Sequence, residues 1–420
     1  MTSAPRRPGP DWRIILAAFW VTQLVESLGV SQVFALLPTY LRELGVPEAD
    51  RIPFVGLYGS LVFVLGLPLV PLWGVWADKY SRKAVIVRSS LVEAVVFALA
   101  ALAREPWQMA LAVLMIGFQL GNTGVMLAGI RDAVPRHRVG TAIALFGAAG
   151  PVGFAAGPAL AGALIDGAGW SVSGVFALSA GLSIGTALLI AFGTREVRPE
   201  VVPVGPVLRL AFGAVRGVLG DAGVRRLFLV YGVVFLANQV SRPYTPVLVE
   251  GLIGTGPGLA SGIGLVMGVA ALVGALVSPA TGWLGDRAGF RRVLLPALAV
   301  GGLASLAMPA APVLGLLALS AMVLGTAAAA TGAMVFSLLA TEVPPERRST
   351  TLNRVYLPLY IAGIIGPAIG GTLAAAGGPK VPFIAGGIVF LLGAAAVARS
   401  RIGSGTRTTR EPVPAGGSTR

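Results

Sequence analysis

Nearly uncharged apolar runs recur along this chain at lengths that suit a lipid bilayer. They fall at about 14–41, 53–77, 84–103, 108–130, 141–165, 171–193, 227–249, 258–284, 293–311, 313–340, 352–376 and 381–398. A hydrocarbon core about 30 Å thick takes roughly 20 helical residues to cross. Lipid offers the backbone no hydrogen bonds, so each run must satisfy its own as a helix. Only 12% of the 420 residues are charged and 55% are hydrophobic, whereas a soluble domain carries roughly 25% charged residues. The expected fold is an all-α integral membrane protein with twelve transmembrane helices. The turn-like PAAP at Pro309 to Pro312 divides the ninth run from the tenth.

The charges sort by side. Alternate loops and the two tails hold 27 of the 32 Lys and Arg residues, and the other side keeps Arg42, Arg51, Arg104, Arg242 and Lys380. Positive-inside bias then places both termini in the cytoplasm of a cell whose inner (plasma) membrane the chain crosses repeatedly. The net charge of +14 is scattered in short clusters, not laid out as one basic stripe with aromatics between, which argues against nucleic acid as a partner. There is no Cys, and the single His137 lies in a basic loop, so disulfides and a metal centre are not expected. No nucleophile–base constellation and no phosphate-binding loop appear, so neither an enzyme nor a cofactor is expected. The first run is too long for a signal-peptide core and is read as a retained span. The expected organisation is a six-helix bundle over 1–193, a cytoplasmic linker with a short interfacial helix over 194–226, a second bundle over 227–399, and a disordered tail over 400–420. The expected partners are the bilayer, a small-molecule substrate and protons, with the chain a monomer.

Charges gather most tightly in GVWADKYSRK, Gly74 to Lys83, and GWLGDRAGFRR, Gly282 to Arg292, repeats it 208 residues later. Gly74, Asp78, Lys79 and Lys83 match Gly282, Asp286, Arg287 and Arg291. VPRHR at Val134 matches VPPER at Val343, and GPALAG at Gly157 matches GPAIGG at Gly366, both at an offset of 209. Repeats in register imply a duplicated six-helix unit, as in some secondary transporters.

These motifs resemble those of the major facilitator superfamily over nearly the whole chain. Its loop signature G-x-x-x-D-R/K-x-G-R-K/R reads here from Gly74 to Lys83, with Ser81 for the second Gly. Its fifth-span antiporter motif reads through Gly153, Gly157, Pro158 and Gly162, with Ala161 for one Gly. Together with RKAVIVRSSL, Arg82 to Leu91, this is similar to the twelve-span drug:proton antiporter branch of bacterial multidrug exporters. The family's fourth-span R-x-x-Q-G, whose Arg is linked to proton coupling, has only GFQLG, Gly117 to Gly121, as its counterpart.

Candidate residues follow from position. Glu26 lies mid-way along the first span, where an acid costs about 2.5–3.5 kcal/mol and so faces protein or water. Desolvation favours its neutral form, which makes it a proton carrier or a structural hydrogen-bonded acid. Glu93, mid-way along the third span, is a second coupling candidate or a structural acid, on a helix that the family places peripherally, with a neighbouring group or Arg88 as its partner. Arg88 itself is near enough to the cytoplasm to snorkel. Gln23 shares a face with Glu26. Gln119 with Asn122, Tyr231 with Phe235, Asn238 and Arg242, and Asn353 with Tyr356 and Tyr360 form polar stripes, suited either to substrate contact or to interhelical bonding. Arg242 is placed to bind an anionic group or to balance Glu26. Asp78, with Arg82, Lys83 and the second copy's Asp286, Arg287 and Arg291, suits a cytoplasmic latch that holds the halves in one state and releases them in the other. Gly153, Gly157 and Pro158, and in the second copy Gly366 and Pro367, suit close packing on the partner half. The reading is a secondary active transporter that exports small amphipathic compounds such as drugs in exchange for protons. Its rivals are a proton-coupled importer or facilitator of a metabolite and a non-transporting sensor.

Overall fold

The computed structural model describes residues 11–199, 202–213, 222–342 and 356–399. The expected disorder of 400–420, the VPPER repeat and Asn353 lie outside them. Asp11 opens the first helix, its carboxylate accepting from the Arg13 N–H at 3.0 Å. α1 (Trp12–Glu43) is followed by α2 (Glu48–Val64), α3 (Gly66–Lys79), α4 (Arg82–Leu102), α5 (Pro106–Gln119), α6 (Asn122–Ala133), α7 (Val139–Gly162) and α8 (Val172–Gly193). A short α9 (Val207–Phe212) precedes α10 (Ala222–Ser241), α11 (Thr245–Ile253), α12 (Leu259–Ala288), α13 (Phe290–Ala307), α14 (Leu314–Glu342), α15 (Tyr356–Gly377) and α16 (Val381–Arg399). Among the described residues there is no strand.

Eleven helical segments are long and apolar enough to cross a membrane, with α2–α3 and α5–α6 each counting as one. The remaining span, seventh in order, is α10 and α11, interrupted by a tight turn at Arg242–Tyr244. That makes the twelve expected. The turn expected at PAAP is the tight turn Met308–Ala310. Of the stretch read as an interfacial helix, Val207–Phe212 is helical, and 214–221 lie outside the described residues. The seventh span also begins at Ala222, inside the interval read as linker.

Two bundles result. In the first, α1 packs along α7 and α8, and α4 along α5 and α8; in the second, α10 packs along α15 and α16, and α12 and α13 along α14. The bundles meet chiefly through two crossed pairs, α2 with α15 and α7 with α12. These contacts lie in the halves of the helices away from the basic loops. The main apolar core joins both bundles there, from Phe34 and Tyr40 to Leu248 and Ile263, and within the second bundle it continues to the basic side through Val293, Leu294 and Met334. On the basic side a second apolar cluster, including Phe19, Ile86, Met126 and Phe146, belongs to the first bundle alone. Side chains added at Gly74, Gly147 or Gly282 on that side would meet open space. The molecule is therefore closed at one face and splayed at the basic one.

Candidate functional site

The first bundle carries a polar cluster at mid-membrane. Glu26, 8% exposed, accepts from Asn122 Nδ2 at 3.2 Å. Gln23 donates to Ser27 Oγ at 3.1 Å and accepts from Thr123 Oγ1 at 2.9 Å. Asn122 and Thr123 are held there by a break in the fourth span. Leu120 is extended and Gly121 has φ 98°, so α6 restarts with Asn122 turned toward α1. Ser89 Oγ donates to the freed carbonyl of Gln119. The second span breaks at the same depth, and a Cβ on Gly117 would stand 2.6 Å from Leu65 Cβ, so the two interruptions pack on each other. Non-helical backbone is tolerated in a membrane only where protein or water covers it.

Glu93 is 1% exposed, and its Oε1 lies 3.3 Å from where a Cβ on Gly29 would stand. The third span thus turns this acid inward against α1, while its opposite face, with Leu91 and Val95 exposed, stays at the periphery that the family implies for this helix. Arg88 does not snorkel either. Its guanidinium stacks 3.7 Å from the Trp73 ring centre, and all three of its nitrogens are buried without a hydrogen bond. Glu93 Oε1, Asn122 Oδ1 and both amide atoms of Gln119 are also without partners. Buried polar groups are nearly always satisfied, and the Gln119 amide lies between the two acids, close enough to serve either. Sequence spacing had given the pairs but not the convergence of α1, α4 and α6.

The second bundle is different in kind. Among its described residues no acid lies in the interior of a span. Tyr231 is buried beside Phe235, with ring centres 6.3 Å apart. Asn238 is partly exposed. Tyr360 sits edge-on to Phe63 of the other bundle at 5.8 Å and packs by Gly66, so it belongs to the seam between bundles. Tyr356 begins α15, and its side chain lies outside the described residues. Gln239, which helical spacing did not single out, is buried with its amide unpartnered. Arg242 lies at the interruption of the seventh span, its guanidinium 5.1 Å from the Phe34 ring centre and 4.9 Å from that of Phe154. It makes no ion pair with Glu26.

The closed face repeats one contact twice. Pro158 of α7 presents its carbonyl to Gly264 of α12, where a Cβ would come within 2.6 Å. Pro367 of α15 presents its carbonyl to Gly56 of α2 at the same 2.6 Å. Both residue pairs are related by the offset of 208 or 209 found in the sequence. Gly153 and Gly157 instead press on Leu24, Ser27, Leu28 and Ser31 of α1, and Gly366 on Gln239 and Val240 of α10. The expectation that these glycines face the other half is therefore corrected. They let each helix lie against its own bundle's first helix, while the adjoining prolines meet the partner bundle. Glu250 adds an ion triad across the same face, 2.9 Å from Arg42 and 3.2 Å from Arg51. Asp166 Oδ2 also accepts from the Ser261 N–H at 2.6 Å.

On the basic face the charged knot stays within its own half. Arg82, 3% exposed, pairs with Asp78 and with Asp132, each at 2.7 Å. Glu196 of the linker takes the Ser81 hydroxyl and the Arg82 N–H, Lys83 donates to the Thr194 carbonyl, and Lys79 to that of Gly205. None of these bonds crosses to the second bundle. The second copy is incomplete, since Phe290 stands where Arg82 does. There Asp286 is exposed, Arg287 lies 4.1 Å over Trp283, and Arg291 donates to the Ala398 carbonyl.

Residues 19–262 and 227–418 both match the sequence profile of the Major Facilitator Superfamily. The chain belongs to that superfamily. As a major facilitator protein with two six-helix halves it is a multi-pass membrane protein and a secondary transporter of small molecules. It is 28% identical over 385 residues to the multidrug resistance protein MdtG of Citrobacter koseri, covering 90% of this chain and 93% of that protein. In structure it is similar to the nucleoside transporter NupG, with a TM-score of 0.77 at 15% identity over 91% of this chain and 99% of that one. It is also similar to a bacterial homologue of the human lysosomal transporter Spinster, with a TM-score of 0.76 at 17% identity over 94% of this chain and 97% of that one. These two likenesses concern the fold.

Proposed function

We propose that this major facilitator protein exports small amphipathic compounds from the cytoplasm in exchange for protons, with Glu26 as the proton carrier and Glu93 as its partner. The observation that carries the reading is the cluster at Glu26. It is a mid-membrane acid held by one Asn122 bond, beside a second acid and an arginine that lacks a hydrogen bond. The similarity to MdtG, a multidrug resistance protein, supports the direction and the kind of cargo. The basic side is the cytoplasm by the positive-inside bias, so both termini lie there and the state described opens inward. Cargo enters between the bundles from the cytoplasm while Glu26 releases its proton to that side. The basic mouth then closes, with Asp78 and Arg82 exchanging their internal pairs for contacts with the second bundle. The outer seam at Gly56, Pro158, Gly264 and Pro367 opens with the Glu250 triad. Cargo leaves, and Glu26 takes a proton from outside. Return with the proton bound carries Glu26 as a neutral acid, which spares the cost of a charge in a sealed low-dielectric cavity.

The test is efflux from proteoliposomes under an imposed pH gradient. Wild type should drive export with proton uptake, and Glu26→Gln should slow it about tenfold or more and remove its dependence on the gradient, as loss of a proton-transfer group does. Wild-type rate and gradient dependence in Glu26→Gln would refute the assignment, and cargo moving with the proton would select an importer.

A further inference from the structure

Among the described residues, Arg242 is an intramembrane cation at the boundary between the bundles. α1 and α10 make no substantial contact with each other, and Arg242 closes the end of α10 just beneath the packed outer face. The next two residues already belong to that face. Pro243 lies beside Gly59, and Tyr244 donates to the Pro367 carbonyl at 2.8 Å. The guanidinium is held between two rings of the opposite bundle, Phe34 of α1 and Phe154 of α7, and is bonded to no carboxylate. Glu26 stands eight residues below Phe34 on α1, which is about 12 Å along a helix, and is already bonded to Asn122. Arg88, the other intramembrane guanidinium, has its nitrogens sealed from solvent, whereas Arg242 is partly exposed.

An arginine kept at this depth without an anion is costly. Ring faces hold a guanidinium weakly and leave its planar fork of donors free. A carboxylate or sulfonate would take that fork in a two-point bond, while the rings, displaced from the guanidinium, would pack on the ligand's apolar body. We propose that the cargo carries an anionic group on an aromatic or otherwise apolar body, and that Arg242, framed by Phe34 and Phe154, is the residue that receives it. This rests on the reading of the chain as an exporter of amphipathic compounds and narrows their class.

Equilibrium binding tests it without any gradient, so its failure is separable from failure of proton exchange. The full chain in nanodiscs is titrated calorimetrically with three isosteric probes, 2-naphthoate, 2-naphthamide and 2-naphthylmethylammonium. Naphthoate should bind about tenfold or more tightly than the amide, as a charge-assisted two-point bond provides, and the ammonium more weakly than either. Arg242→Gln should bring naphthoate to the affinity of the amide, and Arg242→Lys should keep part of the preference because the charge remains. Thermal unfolding of the variants in the same nanodiscs reports folding. If Arg242→Gln does not fold, the wild-type ranking and the Lys variant decide. Equal wild-type affinity for carboxylate and amide overturns the proposal, as does an anion preference intact in Arg242→Gln, one lost in a folded Lys variant, or no saturable naphthoate binding.

Discussion

At the residue scale the closed face depends on two hydrogen atoms. Gly56 and Gly264 let a proline carbonyl from the opposite bundle approach to a distance that a methyl group forbids. Overpacking of this kind costs about 1–3 kcal/mol, and it acts only in the state where the faces touch. Gly264→Ala should therefore shift the population toward the outer-open state by about fivefold or more at the lower end of that cost. The absence of native cysteine makes the measurement clean. Nitroxide labels on cysteines introduced at Ala168 and Gly256 should report a longer distance by double electron–electron resonance. An unchanged distance distribution would show that the seam yields without opening. The acids divide by setting in the same way. Glu250 is 16% exposed and paired with two arginines, a clasp that can break in water, whereas Glu26 and Glu93 are enclosed by protein.

At the element scale, three spans are interrupted. Spans two and four change direction near mid-membrane, at Leu65 and at Leu120–Gly121, and span seven nearer the closed face, at Arg242–Tyr244. The break in span four turns Asn122 to Glu26, and that in span seven sets Arg242 against Phe34 and Phe154. Gly121 adopts φ 98°, a left-handed conformation that costs an L-residue about 1–2 kcal/mol. Gly121→Ala should lower the thermal midpoint in detergent by about 1–2 °C. Because α6 would start at a new angle and carry Asn122 away from Glu26, gradient-driven efflux should fall as well. A variant that unfolds earlier but transports normally would separate the break from the site. The linker is also an active element. Glu196 accepts from the first N–H groups of α4, and the basic side chains that look like a latch in the sequence bind the linker backbone in this state. A knot that holds the linker when the mouth is open is free to exchange partners when it closes.

At the scale of the whole molecule, exchange of one proton for a monoanionic cargo moves two positive charges' worth of current inward. Each charge moved across about 100 mV is worth roughly 2.3 kcal/mol. An inside-negative potential set with potassium and valinomycin should therefore accelerate naphthoate efflux at zero pH gradient. A rate indifferent to potential would require a neutral cycle. The twelve spans, the two halves and the gathering of the basic loops on one face were legible in the sequence, because run length, internal repetition and loop charge each answer to the bilayer one segment at a time. Glu26 was legible for the same reason, since an acid within an apolar run stands out without any partner. The inward turn of Glu93, the burial of Arg88 on Trp73, and the glycines that face their own bundle rather than the other were not. Helical spacing states which residues share a face and leaves open what that face meets. Only the tertiary structure decided that, because the rotation of each helix is fixed by the packing of its neighbours, and lipid, being uniformly apolar, imposes no rotation of its own.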